Sequence, residues 1–165
     1  MKILTLDFEG SINNGIREIG AILSNDTQII NYHDFDIKNE IECKNILQSV
    51  IPSDVDFIIS HNVQTEKNLL KMYLPFPKKK NRFGEFKWGP WLDTRKVYSS
   101  LYPSLKNYEL TNLTNLFIKK ESVLLSEKNC NAQKAKQHHA LFDAICAFLL
   151  YKRIYKLVNL NSFIH

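Results

Sequence analysis

The sequence predicts an α/β sandwich, a central mixed sheet with helices on both faces, and two observations carry that reading. The first 36 residues alternate apolar and polar positions in three strand-length runs separated by turn residues. The last third is dominated by helical spacing that ends in a long apolar helix. At 165 residues the chain reads as one domain spanning 1–165, large enough to bury a core without disulfides or a structural metal.

Each element follows from a local pattern. Lys2–Phe8 reads as a strand buried on both faces, and Gly10–Gly15, with Asn13 and Asn14, as a turn. Arg17–Leu23 and Thr27–Asp36 complete an antiparallel meander. From Glu40 the pattern becomes helical, with Ile41, Ile46, Leu47 and Val50 on one side, and Pro52 ends it. Asp56–Ser60 is a short apolar strand, and Gln64–Tyr73 a helix. Residues 75–91 form a long irregular stretch. Asp93 reads as the N-cap of a helix running to about Leu101. Leu110, Leu113 and Phe117 mark another short helix, a polar segment follows, and His139 to about Val158 is the long C-terminal helix.

Composition narrows the function classes. Three cysteines without CxxC spacing predict free thiols in a reducing compartment. The N-terminal apolar run is short and leads straight into acids, unlike a signal peptide, and no run is long enough to span a bilayer. These features predict a soluble cytoplasmic chain with no membrane role. Charge is lopsided: residues 1–60 hold ten acids and four bases, residues 61–165 seven acids and eighteen bases. A basic half attracts polyanions such as nucleic acid, although a lysine-rich solvated surface has the same composition.

Three short stretches carry chemistry. In "LTLDFEGS" Asp7 and Glu9 stand two residues apart, so both project to one face at the C-terminal end of the first strand. Two carboxylates so close repel unless a cation separates them, and hard oxygen ligands suit Mg²⁺ or Mn²⁺. In "SHNVQTEKNLL" Glu66 falls in the first turn of a helix, where the macrodipole favours an anion. In "QHHALFDAICAFLL" Asp143 sits inside an apolar helical run and needs a partner there. Asn62 serves equally as a helix cap or as a substrate donor, and His61 reads as a structural residue at a strand end. Between residues 78 and 96, basic side chains alternate with Phe83, Phe86, Trp88 and Trp91, the mixture that single strands require.

Taken in order, Asp-x-Glu on the first strand, His-Asn-x-x-x-acid, and His-x-Ala-x-x-Asp-Ala on the last helix resemble the DEDDh (DnaQ-like) 3′–5′ exonucleases, a family of RNase H-like fold. The resemblance covers nearly the whole chain. It implies two divalent metal ions, Mg²⁺ or Mn²⁺. Asp7, Glu9 and Asp143 would hold one, Asp7 would bridge to the second, and Glu66 would support the waters of the second. It implies His138 as general base, with His139 as the competing candidate. Gly10 and Ser11 would lie where the backbone approaches the terminal nucleotide, and the partner would be single-stranded DNA or RNA with a free 3′ end. Most of the family has Asp where this chain has Glu66. A branch resembling this sequence carries Glu there together with a segment like Gly89–Thr94. A non-catalytic binding module on the same fold, or a nuclease restricted to very short or cyclic oligonucleotides, is the alternative. No motif for a protein partner stands out.

Overall fold

The computed structural model describes residues 1–52, 54–74, 78–80, 86–88 and 90–164, with 78–80 and 86–88 described as a strand pair only. In chain order the elements are β1 (Lys2–Ser11), β2 (Gly15–Asn25), β3 (Gln28–Asp36), α1 (Glu40–Val50), β4 (Phe57–Ser60), α2 (Val63–Leu70), β5 (Lys78–Lys80), β6 (Phe86–Trp88), β7 (Trp91–Asp93), α3 (Thr94–Leu101), α4 (Leu110–Phe117), α5 (Lys120–Glu127) and α6 (Ala140–Ile154). A short 3₁₀ turn, Leu160–Ser162, follows.

The sheet has the order β3-β2-β1-β4-β7. The first three strands are antiparallel neighbours, and β4 and β7 run parallel to β1. The predicted mixed sheet with flanking helices is therefore the observed architecture. Alternation along β1 sorts its side chains between two cores. Ile3 joins Ile22, Phe57, Ile59 and Leu92 in the layer covered by α3, α4 and α6. Leu4, Leu6 and Phe8 join Ile19, Ala21, Cys43, Leu47, Leu69 and Leu70 in the layer covered by α1 and α2. Helix α6 buries eleven of its fifteen residues, so it behaves as a core helix with little solvated face.

Several boundaries differ from the sequence reading. β1 continues through Glu9 to Ser11, because Gly10 pairs with Ile16 and Ser11 with Gly15, leaving a shorter turn. Helix α2 ends at Leu70, and α6 ends at Ile154 where Leu157 N–H turns back onto the Ile154 carbonyl. Ile41 is exposed, and α1 buries Cys43, Leu47 and Val50 instead. Four elements are new, and two of them, β5 and β6, form an antiparallel pair within the stretch 75–91 expected to be irregular. β7 is three residues long, too short for periodicity to reveal, and is fixed by pairing Trp91–Asp93 with Ile58–Ser60. Helix α5 occupies the expected polar segment and buries none of its residues, so no apolar stripe announced it. Beyond β7, Leu92 forms an isolated antiparallel bridge with Ile164. The side chains of the basic–aromatic stretch from Lys78 to Trp88 lie outside the described residues; Trp91 is buried in the α1/α2 layer. The three cysteines are free thiols. No helix among the described residues is long and apolar enough to cross a membrane.

The closest backbone approach lies between β2 and the start of α6. A Cβ at Gly20 would stand 2.1 Å from the Ala140 carbonyl carbon and 2.2 Å from Leu141 N, both backbone atoms of the helix start. Only glycine lets α6 sit this low on the sheet. Gly20→Ala is expected to force the helix outward and lower stability by about 1–3 kcal/mol, as overpacked sites do. The check is a urea melt, where an unchanged midpoint would show that α6 tolerates the extra methyl.

Candidate active site

Four carboxylates converge at the C-terminal ends of β1 and β4, two of them carried by β1 and one each by α2 and α6. Asp7 lies on β1 opposite Gly20, on the α6 side of the sheet, and is 9% exposed. Glu9 follows on the same face, with Arg17 Nη2 3.5 Å from its carboxylate. Glu66 comes from the first turn of α2 and is 4% exposed. Asp143 comes from the first turn of α6, which the Gly20 contact presses onto β2.

The start of α2 is held by a residue of another strand. Asp93 Oδ2 accepts from Val63 N–H at 3.1 Å while its Oδ1 accepts from Lys96 N–H at 3.1 Å, so one buried carboxylate caps both α2 and α3. The expected N-cap role of Asp93 is thus present and doubled. Asn62 takes the cap position of α2 with a left-handed backbone (φ 69°), yet its side chain makes no capping bond; the amide donates to Thr65 Oγ1 at 2.8 Å. The capping alternative for Asn62 is corrected accordingly, since Asp93 already satisfies the helix start. His61 is structural, as expected. Its Nδ1 lies 2.8 Å from Thr94 Oγ1 and its Nε2 2.9 Å from the Tyr108 carbonyl, and burial lowers its pKa. A carbonyl can only accept, so Nε2 carries the proton.

Within the site, Glu9, His138 and Asp143 each present an atom that lies within 4.8 Å of the other two. Asp7 and Glu66 stand outside this tightest grouping but within electrostatic reach of it. Burial raises the Asp7 pKa well above 3.8, and the charges of Glu66, Asp143, Glu9 and Glu18 push it further. Burial pushes Glu66 from 4.5 up to about 8, with Glu9 and Asp143 adding to the rise and a hydrogen bond from Phe8 N–H opposing it. Burial also carries Asp143 from 3.8 to about 6, while its hydrogen bond from His138 N–H (3.1 Å to Oδ2) holds it down. Glu66 Oε2 is buried with no hydrogen-bond partner among the described residues. An orphaned carboxylate oxygen facing three further acids is costly for protein alone, and a hard divalent cation would relieve it. The donor set fits such a cation, with Asp7, Glu9, Glu66 and Asp143 able to hold it.

The two histidines part company. His138 is exposed and left-handed at φ 64°, a conformation that costs on the order of 1–3 kcal/mol for a non-glycine residue. His139 is tied instead to Glu18, to which its Nδ1 donates at 3.1 Å. Of the expected substrate residues, Ser11 closes the hairpin by accepting from Asn14 N–H at its hydroxyl oxygen, 3.2 Å away. The missing side chain of Gly10 is already accounted for by β2, because a Cβ there would stand 2.3 Å from the Gly15 carbonyl oxygen. Sequence reasoning missed Glu18, Gly20 and Lys134. "REIGAIL" offered a glycine within an apolar strand as the one signal of close backbone approach.

No family model matches the sequence, and no curated protein matches it. Among solved structures, exonuclease X in complex with 5′-overhanging duplex DNA is similar over 98% of this chain and 97% of its own, with a TM-score of 0.63 and 16% sequence identity. The chain shares that fold, the RNase H-like mixed sheet flanked by helices. At that identity the likeness speaks for the fold, and the reading of the site rests on its own geometry.

The raised carboxylates set a pH dependence whose sign is fixed. The folded-state pKa of Glu66, about 8, exceeds its ordinary 4.5, so the folded chain holds more protons than the unfolded one between these values. Stability of the metal-free protein is therefore expected to fall as pH rises from about 4.5 towards 8. Glu66→Gln should flatten that fall and raise the melting temperature at pH 8. Thermal melts across this range provide the check, and a stability that climbed with pH in the wild type would contradict the assignment.

Proposed function

We propose that this chain is a metal-dependent 3′–5′ exonuclease, a single domain that hydrolyses phosphodiester bonds at the 3′ end of single-stranded DNA or RNA and releases nucleoside monophosphates. The observation that carries the reading is the convergence of four acids from β1, α2 and α6 around a buried, unpartnered Glu66 oxygen. Such a constellation repels itself, and phosphoryl hydrolysis is a chemistry that makes use of the cations it would hold. Bound there, two Mg²⁺ or Mn²⁺ ions would supply water activation and stabilisation of the leaving oxygen and developing charge.

The chain's own residues divide the remaining work. Asp7, whose pKa the other three acids raise, would be shared between the two cations, Glu9 and Asp143 would join it in holding one, and Glu66 would support the waters of the other. Glu66 is one methylene longer than the family's usual aspartate, and its position at the start of α2 lets it reach back to the Phe8 N–H. His138 is the general base: its ring is exposed beside Glu9 and Asp143, where it can take a proton from a water set against the phosphorus. His139, tied to Glu18, is turned from that role. Gly10 and Ser11, at the end of β1, and Asn62, at the start of α2, border the carboxylates and would meet the terminal nucleotide. The overhanging duplex bound by exonuclease X adds support for a nucleic-acid substrate with a free end. Nothing in the acidic cluster chooses between ribose and deoxyribose.

The test uses 5′-labelled and 3′-labelled single strands of DNA and of RNA with Mg²⁺ or Mn²⁺. Wild type is expected to shorten the 5′-labelled strand progressively and to release the 3′ label as a mononucleotide, and Asp7→Asn to abolish both. Tight binding without cleavage would make the chain a binding module, and turnover confined to di- and trinucleotides would restrict its substrate. His138→Ala is expected to lower kcat by roughly 10²–10⁴-fold, the range for loss of a general base, with Mn²⁺ binding retained. A larger loss in His139→Ala would transfer the role to that residue.

A further inference from the structure

Glu18 lies on β2 directly opposite Glu9, and its carboxylate meets the residues that begin α6. It accepts from His139 Nδ1, 3.2 Å from Oε1 and 3.1 Å from Oε2, and Ala140 N–H lies 3.4 Å from Oε2. A carboxylate without a proton can only accept, so Nδ1 of His139 carries the hydrogen. Lys134 Nζ stands 3.9 Å from the same Glu18 oxygen and is shared with Asp34 at 3.6 Å and Asp36 at 2.5 Å. The segment 134–140 is thus tied down at both ends on the acidic rim of β2 and β3. Between the ties His138 turns outward through its left-handed backbone, and its N–H rests on Asp143 Oδ2.

We propose that Glu18 is a positioning residue for His138, an inference that rests on the nuclease reading above. His138 and His139 are adjacent in the chain, so the clamp on one ring fixes the peptide plane from which the other springs. Loss of the clamp would let the helix start rotate and His138 relax out of its strained conformation, away from Glu9 and Asp143. A displacement of about 1 Å in a reacting group can cost on the order of 10²-fold in rate. The action is geometric. Glu18 also adds negative charge around Asp7, and a purely electrostatic role would be lost equally in any neutral variant.

The experiment compares wild type, Glu18→Ala and Glu18→Gln. Glutamine keeps an oxygen that accepts from His139 but carries no charge, whereas alanine removes both. With a 5′-labelled single strand and Mn²⁺, Glu18→Ala is expected to lower kcat by roughly 10–100-fold with KM within about twofold. Glu18→Gln is expected to recover most of that loss. In the metal-free proteins, the ring Cε1–Hε1 resonance of His138, assigned from His138→Gln, should shift or broaden in Glu18→Ala and hold its position in Glu18→Gln. Should Glu18→Ala fail to fold by circular dichroism, His139→Leu removes the donor half of the clamp and is expected to give the same kinetic and spectroscopic changes. A Glu18→Ala protein with wild-type kcat and an unmoved His138 resonance would overturn the proposal, as would equal impairment by alanine and glutamine. A wild type that hydrolyses no strand with either metal would defeat the nuclease reading, and the His138 resonance alone would then decide whether Glu18 positions that ring.

Discussion

The absence of a side chain at Gly20 is the constraint on which the site depends. β2 carries Gly20 opposite Asp7, and α6 begins directly above it, with Ala140 and Leu141 backbone atoms where a Cβ would stand. That approach brings Asp143 and His138 down to the level of the strand-borne acids. A helix lifted by one methyl group would separate them, and the carboxylates would find water in place of one another. The close approach also leaves them dry, and burial is the largest contributor to the raised pKa of Asp7, Glu66 and Asp143 alike. Charge repulsion adds to a problem that packing has already set. The apolar surface that α6 buries, eleven residues from Ala140 to Ile154, offsets the cost of assembling such a centre.

A second anchor works at the opposite edge. Asp93 ends β7, begins α3 and caps α2, so three elements meet on one carboxylate. His61, two residues before the start of α2, is tied to Thr94 on α3 and to the Tyr108 carbonyl. These contacts set the direction of α2 and, through it, the depth of Glu66. Glu66 is therefore held through a junction in which Asp93 and His61 bind α2, α3 and the Tyr108 carbonyl together.

Much of this was legible in the sequence because it is local. The strands of the meander, the terminal helix and the three acidic motifs are each patterns within one continuous short stretch of chain, and the structure brings the acids together. The unread parts depend on partners far away in the chain. β7 exists because β4 offers it hydrogen bonds. The contact of Glu18 with His139 spans 121 positions, and no spacing rule announces it. Ile41 had the right periodicity and the wrong face, since α1 rests on the sheet through Cys43, Leu47 and Val50. Asn62 looked like a cap because its residue type favours that role, and Asp93, thirty-one positions on, had taken it.

The two outer strands of the sheet both carry features that oppose the addition of a further strand. An open sheet presents unpaired N–H and C=O groups along both margins, which invite strand addition and fibrous growth. At one margin Leu92 of β7 is bridged by Ile164, so a returning segment of the same chain already occupies a docking position there. At the other margin β3 carries His33, Asp34 and Asp36, and Lys134 lies across the two acids. The lysine that steadies the approach to α6 thus also guards an edge, setting charge where an incoming strand would need a bare, neutral backbone. Protection of the sheet edge and the geometry of the acidic rim draw on the same side chain.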